Sequence, residues 1–252
     1  MMITRAVVPT LFTVLNMFCG FLSIVHSSNG EFSEAAYFII LAAVFDAVDG
    51  LMARLTKSSS AFGVQIDSLS DVVSFGAAPA FLVYKILLHQ FNALGIIISS
   101  LLVILGGIRL ARFNVQLVGF DKEHFVGLPI PMSAMTIVTY VLTFSVDNGR
   151  LMETAALVLP YLVVGVSLLM VSRIKYDTLP KFSAKELRRH PMKFISLFFA
   201  LVVILLTKGV ATFYLIVVFV GFGIIRHIVG WFSHQPKTED EHEIEEAPSY
   251  DI

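Results

Sequence analysis

An all-α, polytopic membrane helix bundle is the fold class that this sequence predicts, and three observations predict it. The 252-residue chain is 56% hydrophobic and only 15% charged, whereas a typical soluble domain has about 25% charged residues. Its apolar runs repeatedly approach the length of about 20 residues that a helix needs to cross a bilayer. These runs are continuous and do not alternate with polar residues, which favours helices over the strands of a barrel.

The apolar windows predict about eight transmembrane helices. Turn-forming residues at 27–30, 58–60 and 147–149 separate some of them. The predicted spans lie near residues 8–26, 34–55, 66–88, 93–112, 131–147, 151–172, 192–207 and 210–230. We expect residues 1–235 to form one transmembrane domain. The last stretch, 236–252, is acidic and poor in large apolar residues, so we expect a disordered cytoplasmic tail.

The distribution of basic residues predicts the orientation of the chain. If both termini, the loops at 55–66, 109–130 and 173–193, and the adjoining helix ends with Arg54 and Arg226 are cytoplasmic, these regions hold 15 of the 18 Lys and Arg residues. Such an excess is typical of cytoplasmic loops. We therefore expect a multi-pass protein of a prokaryotic cell membrane, with both termini in the cytoplasm. The sequence has no zinc-ligand spacing and no basic-aromatic pattern that would indicate nucleic acid.

The most informative polar feature is a group of four aspartates inside apolar sequence. Asp46 and Asp49 are three residues apart, and Asp67 and Asp71 are four apart, so each pair projects from one face of a helix. Carboxylates at membrane depth repel one another and cost roughly 2.5 kcal/mol or more each. Divalent cations among them would relieve that cost, and oxygen ligands suit Mg²⁺ or Mn²⁺.

Read as an antiparallel pair, helices two and three bring the four carboxylates together at the cytoplasmic side of the bundle. Arg54 at the end of helix two can bind a phosphate oxygen, and Gly50 and Gly63 leave room for phosphates to approach the backbone. Two cations and a free carboxylate can support phosphoryl transfer to a hydroxyl. The spacing alone also allows a cation transporter, or structural pairing of the acids with Arg54.

The segment Asp46-x2-Asp49-Gly50-x2-Ala53-Arg54-x8-Gly63-x3-Asp67-x3-Asp71 resembles the complete signature of the CDP-alcohol phosphotransferase family. All eight fixed positions match. The resemblance implies transfer of a phosphatidyl group from a CDP-linked lipid to an alcohol, with release of CMP. It also implies two divalent cations, Mg²⁺ or Mn²⁺, and a homodimer in the membrane.

The resemblance also assigns roles to individual residues. It implies that Asp46, Asp49 and Asp67 ligate the cations, while Asp71 is both the general base and a shared ligand. The CDP-lipid would contact the following residues: Asn16, Asp49, Gly50, Ala53, Arg54 and Gly63. Asn16 ends the segment Pro9-Thr-Leu11-Phe-Thr13-x2-Asn16, which resembles the first-helix motif of the family. An interhelical hydrogen bond is an equal alternative for Asn16.

Further segments resemble one branch of the family, the membrane-spanning phosphatidylserine synthases. The three segments are Ser74-Phe-Gly76-Ala-Ala-Pro79-Ala, Arg109-Leu-Ala-Arg112-Phe113-Asn114 and Gly127-Leu-Pro129-Ile-Pro131-Met-Ser133-Ala. This branch uses CDP-diacylglycerol and L-serine as substrates and makes phosphatidylserine.

These segments offer candidate residues for binding the acceptor serine. Arg109 or Arg112 can clamp its carboxylate, and Asn114 can add a hydrogen bond. Pro129 and Pro131 would rigidify the loop before the fifth span, while Ser74 either shapes the pocket or lies at a bend of the third span. One alternative is that both arginines only anchor the helix end in the lipid headgroups or set the topology. A separate alternative is that the acceptor alcohol is glycerol 3-phosphate or an inositol phosphate.

Overall fold

The computed structural model describes residues 3–56, 61–118, 127–146, 150–174, 176, 207 and 209–233. Within these ranges, the side chains of residues 3–9, 53–56, 61, 116–118 and 230–233 lie outside the description. The described chain is a bundle of apolar helices. This result confirms the predicted fold class.

Helices account for almost all of the described residues. They are α1 (Ile3–Asn29), α2 (Phe32–Thr56), α3 (Ala61–Asp71), a π-helix (Val72–Ala77), α4 (Ala78–Ile86), α5 (Asn92–Val118), α6 (Ile130–Phe144), α7 (Glu153–Val171) and α8 (Ala211–Ser233). A short 3₁₀ helix, Leu88–Phe91, precedes α5. The two-residue strands β1 (Ser145–Val146) and β2 (Arg150–Leu151) pair antiparallel on either side of residues 147–149, where the sequence predicts a turn.

Six helical segments of the described chain are long and apolar enough to cross a membrane. They are Thr10–Asn29, Phe32–Met52, Phe62–Ile86, Leu88–Val115, Glu153–Val171 and Ala211–Val229. The apolar helix α6 is shorter but coincides with the predicted fifth span. The predicted span at 192–207 and the acidic tail lie outside the described residues.

Helix α1 is packed against both helices that carry the aspartates. It lies along α2 and also contacts α3, the π-helix and α4. Small residues allow this close approach. A Cβ on Gly20 of α1 would come within 2.7 Å of the Ser74 Cα, and Ala35, Ala36 and Ala42 of α2 are fully buried. The first helix therefore fixes the positions of the second and third.

The third span changes its helical winding directly after Asp71. Residues Val72–Ala77 form a π-helix, and the Ala78 N–H donates to the Val73 carbonyl five residues earlier. Pro79 follows at the start of α4, and it has no N–H to donate to an α-helical ladder. Single π-helical turns inside α-helices are frequent at functional sites, and this one separates the aspartates from the buried α4.

The segment before α6 is bonded to the end of α7. The Gly127 N–H donates to the Ile174 carbonyl at 2.9 Å, and the Leu128 N–H donates to the Leu169 carbonyl at 3.0 Å. Gly127 has φ +89°, a conformation that glycine adopts readily. These bonds hold the Pro129–Pro131 region next to α3 and α5, where a cavity opens.

Candidate active site

Three of the four aspartates meet where α2 and α3 approach each other. One carboxylate oxygen from each of Asp46, Asp49 and Asp67 lies within 4.8 Å of the other two. Asp49 is buried, and the other two are partly buried. Two unit charges about 4 Å apart repel by roughly 4 kcal/mol at an effective dielectric constant of 20. The ionised group therefore requires positive charge nearby.

The chemistry of this group suits a divalent cation. Its donors are hard carboxylate oxygens, which Mg²⁺ and Mn²⁺ prefer. The Asp67 Oδ1 atom is buried and has no hydrogen-bond partner among the described residues. Buried polar atoms normally have partners, so this oxygen is free to ligate a cation. The residues present fit the metal that the sequence predicts.

The fourth aspartate, Asp71, lies one helical turn beyond Asp67 and is not part of this three-carboxylate group. It is buried at the end of α3. The Asn16 side-chain amide donates to its Oδ1 at 3.5 Å, which is a long hydrogen bond. Asn16 thus contacts Asp71 across the α1–α3 interface, as the interhelical alternative predicts. Its own Oδ1 is buried without a partner in the described chain.

The predicted nucleotide-binding residues lie along α2 and at the start of α3. A Cβ on Gly50 would meet no described atom within 4 Å, so no described side chain crowds this position beside Asp49. Gly63 is partly buried in the first turn of α3. Ala53 and Arg54 lie on α2, but their side chains are outside the described set. Their predicted contacts therefore stay predictions.

A cavity of about 240 Å³ adjoins the aspartates. Residues of α3, α5 and the start of α6 line it, and they are Val64, Asp67, Ser68, Asp71, Arg109, Leu110, Phe113, Asn114, Ile130 and Pro131. The Asn114 amide donates to the Ser68 Oγ at 2.9 Å. Arg109 is partly buried, and its Nε has no hydrogen-bond partner within the described residues. A guanidinium and two carboxylates thus line one small cavity.

The structure separates the candidate acceptor residues into two groups. Arg109, Asn114 and Pro131 line the cavity, whereas Arg112 is exposed and donates to the Val171 carbonyl at 3.3 Å. Pro129 is not among the lining residues and caps the start of α6. Ser74 is fully buried and donates to the Asn16 carbonyl at 2.8 Å, so it packs the π-helix against α1.

Two further polar residues contact the site, although the sequence analysis assigns no role to either. Thr13 donates to the Asp49 Oδ2 at 2.9 Å, and Ser68 lines the cavity. Thr13 is three residues before Asn16, so the two share a face of α1. A threonine in an apolar helix commonly bonds to its own backbone, which is why spacing alone did not identify it.

Comparison with known proteins agrees with this geometry. The sequence pattern of the CDP-alcohol phosphatidyltransferase family matches residues 6–171, a range that includes the four aspartates and every residue that lines the described cavity. The chain belongs to this family. As a member of the CDP-alcohol phosphatidyltransferases, it is a membrane-embedded transferase of phospholipid synthesis.

Several relatives of known name align over most of the chain. A CDP-diacylglycerol–serine O-phosphatidyltransferase of Helicobacter pylori is 34% identical over 223 residues, which cover 88% of this chain and 90% of the relative. An enzyme of the same name from Methanocaldococcus jannaschii is 35% identical over 221 residues, which cover 86% of this chain and 92% of the relative. An archaetidylserine synthase of Methanothermobacter thermautotrophicus is 42% identical over 170 residues, which cover 67% of this chain and 68% of the relative.

Proposed function

We propose that this CDP-alcohol phosphatidyltransferase transfers the phosphatidyl group of CDP-diacylglycerol to the hydroxyl of L-serine, forming phosphatidylserine and CMP. The observation that carries the proposal is the cavity that Asp67, Asp71 and Arg109 line together. The two carboxylates of this cavity can take part in phosphoryl transfer, and the Arg109 guanidinium can bind the negative charge of an acceptor. The names of the aligned relatives, two of which are serine phosphatidyltransferases, support the same acceptor.

Asp46, Asp49 and Asp67, with Asp71 as a shared ligand, would hold two divalent cations, Mg²⁺ or Mn²⁺. When bound, such ions stabilise negative charge on a transferring phosphoryl group. The close approach of the three carboxylate oxygens supports this assignment. The unpartnered Asp67 Oδ1 supports it independently.

Asp71 is proposed as the general base. It lines the cavity and lies outside the three-carboxylate group, so it can accept the proton of the serine hydroxyl. The serine oxygen then forms a bond to the lipid-linked phosphorus, and the bond from that phosphorus to the oxygen of CMP breaks. The proton ends on the Asp71 carboxyl group.

Arg109 is proposed to bind the serine carboxylate. A guanidinium can donate two parallel hydrogen bonds to a carboxylate, and its Nε lacks a partner in the described structure. Asn114 and Ser68, which are already hydrogen-bonded to each other, supply further polar atoms in the same cavity. Pro131 contributes a rigid wall. Arg112 is assigned no acceptor contact.

Asn16, Gly50, Ala53, Arg54 and Gly63 are proposed to bind the cytidine diphosphate. The space around a Cβ on Gly50 and the unpartnered Asn16 Oδ1 support this role. The diacylglycerol tails would stay in the hydrocarbon of the bilayer. The basic loops of the sequence support a cytoplasmic site and cytoplasmic termini. The homodimer implied by the family resemblance stays a prediction.

An acceptor panel tests the proposed reaction. Purified protein in detergent is given CDP-diacylglycerol, a divalent cation, and one of L-serine, glycerol 3-phosphate or an inositol phosphate, and CMP release and the lipid product are measured. We expect release of CMP and formation of phosphatidylserine with serine. Product with glycerol 3-phosphate or the inositol phosphate but none with serine would refute the acceptor assignment. Metal flux in proteoliposomes of the same protein, without CMP release, would refute the reaction.

A further inference from the structure

Helix α1 joins the two aspartate-bearing helices through side-chain hydrogen bonds. Thr13 donates to the Asp49 carboxylate on α2 at 2.9 Å. Ser70 on α3 donates to the Thr13 backbone carbonyl at 3.0 Å. All three residues are buried, and Ser70 is fully so. The three groups form one continuous chain of bonds, from α3 through α1 to α2.

Direct packing between the two aspartate-bearing helices is sparse. In the described chain, α2 and α3 make far fewer backbone contacts with each other than either makes with α1. At the level of the aspartates, α1 is therefore the element that contacts both α2 and α3, while the π-helix and α4 contact α2 further along the same span. A second bond fixes the same register one turn further along, where Ser74 donates to the Asn16 carbonyl at 2.8 Å.

The bond from Thr13 also restrains one oxygen of the Asp49 carboxylate. Its Oδ2 accepts the hydroxyl hydrogen, which fixes the rotation of the carboxyl group. Hydrogen bonds from outside a metal site orient the ligands, and their loss typically lowers metal affinity about 10- to 100-fold. Thr13 therefore has the position of such an orienting residue.

We propose that Thr13 is a positioning residue for the divalent-cation site, and that Ser70 acts through it by fixing the Thr13 backbone. This inference rests on the proposed function only in assigning cations to Asp49 and its neighbours. It names a role that the aspartate signature does not contain. The hydroxyl of Thr13, rather than its bulk, carries the effect.

The test measures binding of Mn²⁺ to purified protein in detergent by electron paramagnetic resonance, without lipid or acceptor. Thr13→Val keeps the shape and removes the hydroxyl, and we expect it to weaken Mn²⁺ binding roughly 10- to 100-fold. Thr13→Ser restores the donor and should recover most of the affinity. Thr136→Val is the matched control, because Thr136 is equally buried but bonds to the Met132 carbonyl of its own helix.

A double-mutant cycle tests the link through Ser70. Ser70→Ala should weaken Mn²⁺ binding in the same direction, and the pair Thr13→Val with Ser70→Ala should be no weaker than Thr13→Val alone, because residues in one network are not additive. Ser99→Ala is the control, since the buried Ser99 hydroxyl bonds to the Gly95 carbonyl of its own helix.

Three results would each overturn the proposal. They are unchanged Mn²⁺ affinity in Thr13→Val, an equal loss in Thr136→Val, and a loss in Thr13→Ser as large as that in Thr13→Val. Thermal unfolding of each variant separates reduced folding from reduced affinity, since a folded Thr13→Val protein with weak Mn²⁺ binding supports the role. Failure of serine to elicit CMP would refute the proposed acceptor and leave this binding comparison intact.

Discussion

Asp71 on α3 and Arg109 on α5 line the same cavity, which has a volume of about 240 Å³. One residue can accept a proton and the other can bind an anion, so a small acceptor in this cavity can contact both. The Asn114–Ser68 hydrogen bond at 2.9 Å joins the same two helices and holds the walls of the cavity together. The arrangement separates binding of the acceptor from its activation, and the two can be tested independently.

Replacement of the proposed base should abolish turnover without abolishing binding of the lipid substrate. In Asp71→Asn the side chain keeps its size and cannot accept the hydroxyl proton, so we expect kcat to fall about 10²- to 10⁴-fold. Binding of CDP-diacylglycerol, measured by equilibrium dialysis with labelled lipid in detergent, should change little. Activity like that of the wild type would remove Asp71 as the base.

The two arginines near the end of α5 should behave differently. Arg109→Gln removes a charge-assisted hydrogen-bond donor from the cavity, and such bonds contribute about 1.5–3 kcal/mol. We therefore expect the KM for serine to rise roughly 10- to 100-fold, since 1.4 kcal/mol is tenfold, with a smaller change in the KM for the CDP-lipid.

Arg112→Gln is the matched control for this prediction. Arg112 is exposed and bonds to the Val171 carbonyl outside the cavity, so its replacement should leave the KM for serine almost unchanged. A larger rise in KM for Arg112→Gln than for Arg109→Gln would contradict the assignment of the acceptor site.

Gly50 offers a test in which stability and activity should move in opposite directions. A methyl group there meets no described atom within 4 Å, and alanine is favoured over glycine inside a helix by about 1 kcal/mol. Gly50→Ala should therefore unfold at the same or a higher temperature. If CDP-lipid phosphates approach this backbone, its KM for CDP-diacylglycerol should rise.

Gly165→Ala is the control for the glycine prediction. Gly165 is exposed on α7, and an added Cβ there also meets no described atom, yet α7 carries none of the four aspartates. This variant should keep the kinetic constants of the wild type. A Gly50→Ala protein with unchanged KM for the CDP-lipid would show that the ligand does not approach this backbone.

Hydropathy and aspartate spacing were sufficient to predict most of the described helices and to place each aspartate pair on one helix face, because both depend on local periodicity. That Asp46, Asp49 and Asp67 meet while Asp71 lies outside their group depends on how α2 and α3 pack. The division between Arg109 and Arg112 could not be predicted. Their spacing of three residues suggests a shared face, but the packing of α7 against α5 gives Arg112 a carbonyl partner. The role of Thr13 likewise depends on which helix lies opposite.

The π-helix after Asp71 could not be predicted from the sequence either. Pro79 indicates an irregularity in the third span, but the position and type of the irregularity depend on the packing of Ser74 against the Asn16 carbonyl and Gly20. The two-residue strands at 145–146 and 150–151 were not predicted either, since two residues are too few to show an alternating pattern.

Serine-dependent release of CMP by metal-stripped protein tests the central claim most directly. Purified protein is freed of cations with EDTA, supplied with CDP-diacylglycerol and L-serine, and titrated with Mg²⁺ or Mn²⁺. The account predicts no CMP without metal, saturable recovery as metal is added, and no recovery in Asp46→Asn or Asp67→Asn, which remove carboxylates from the cation site. Full turnover by the metal-free protein would contradict it.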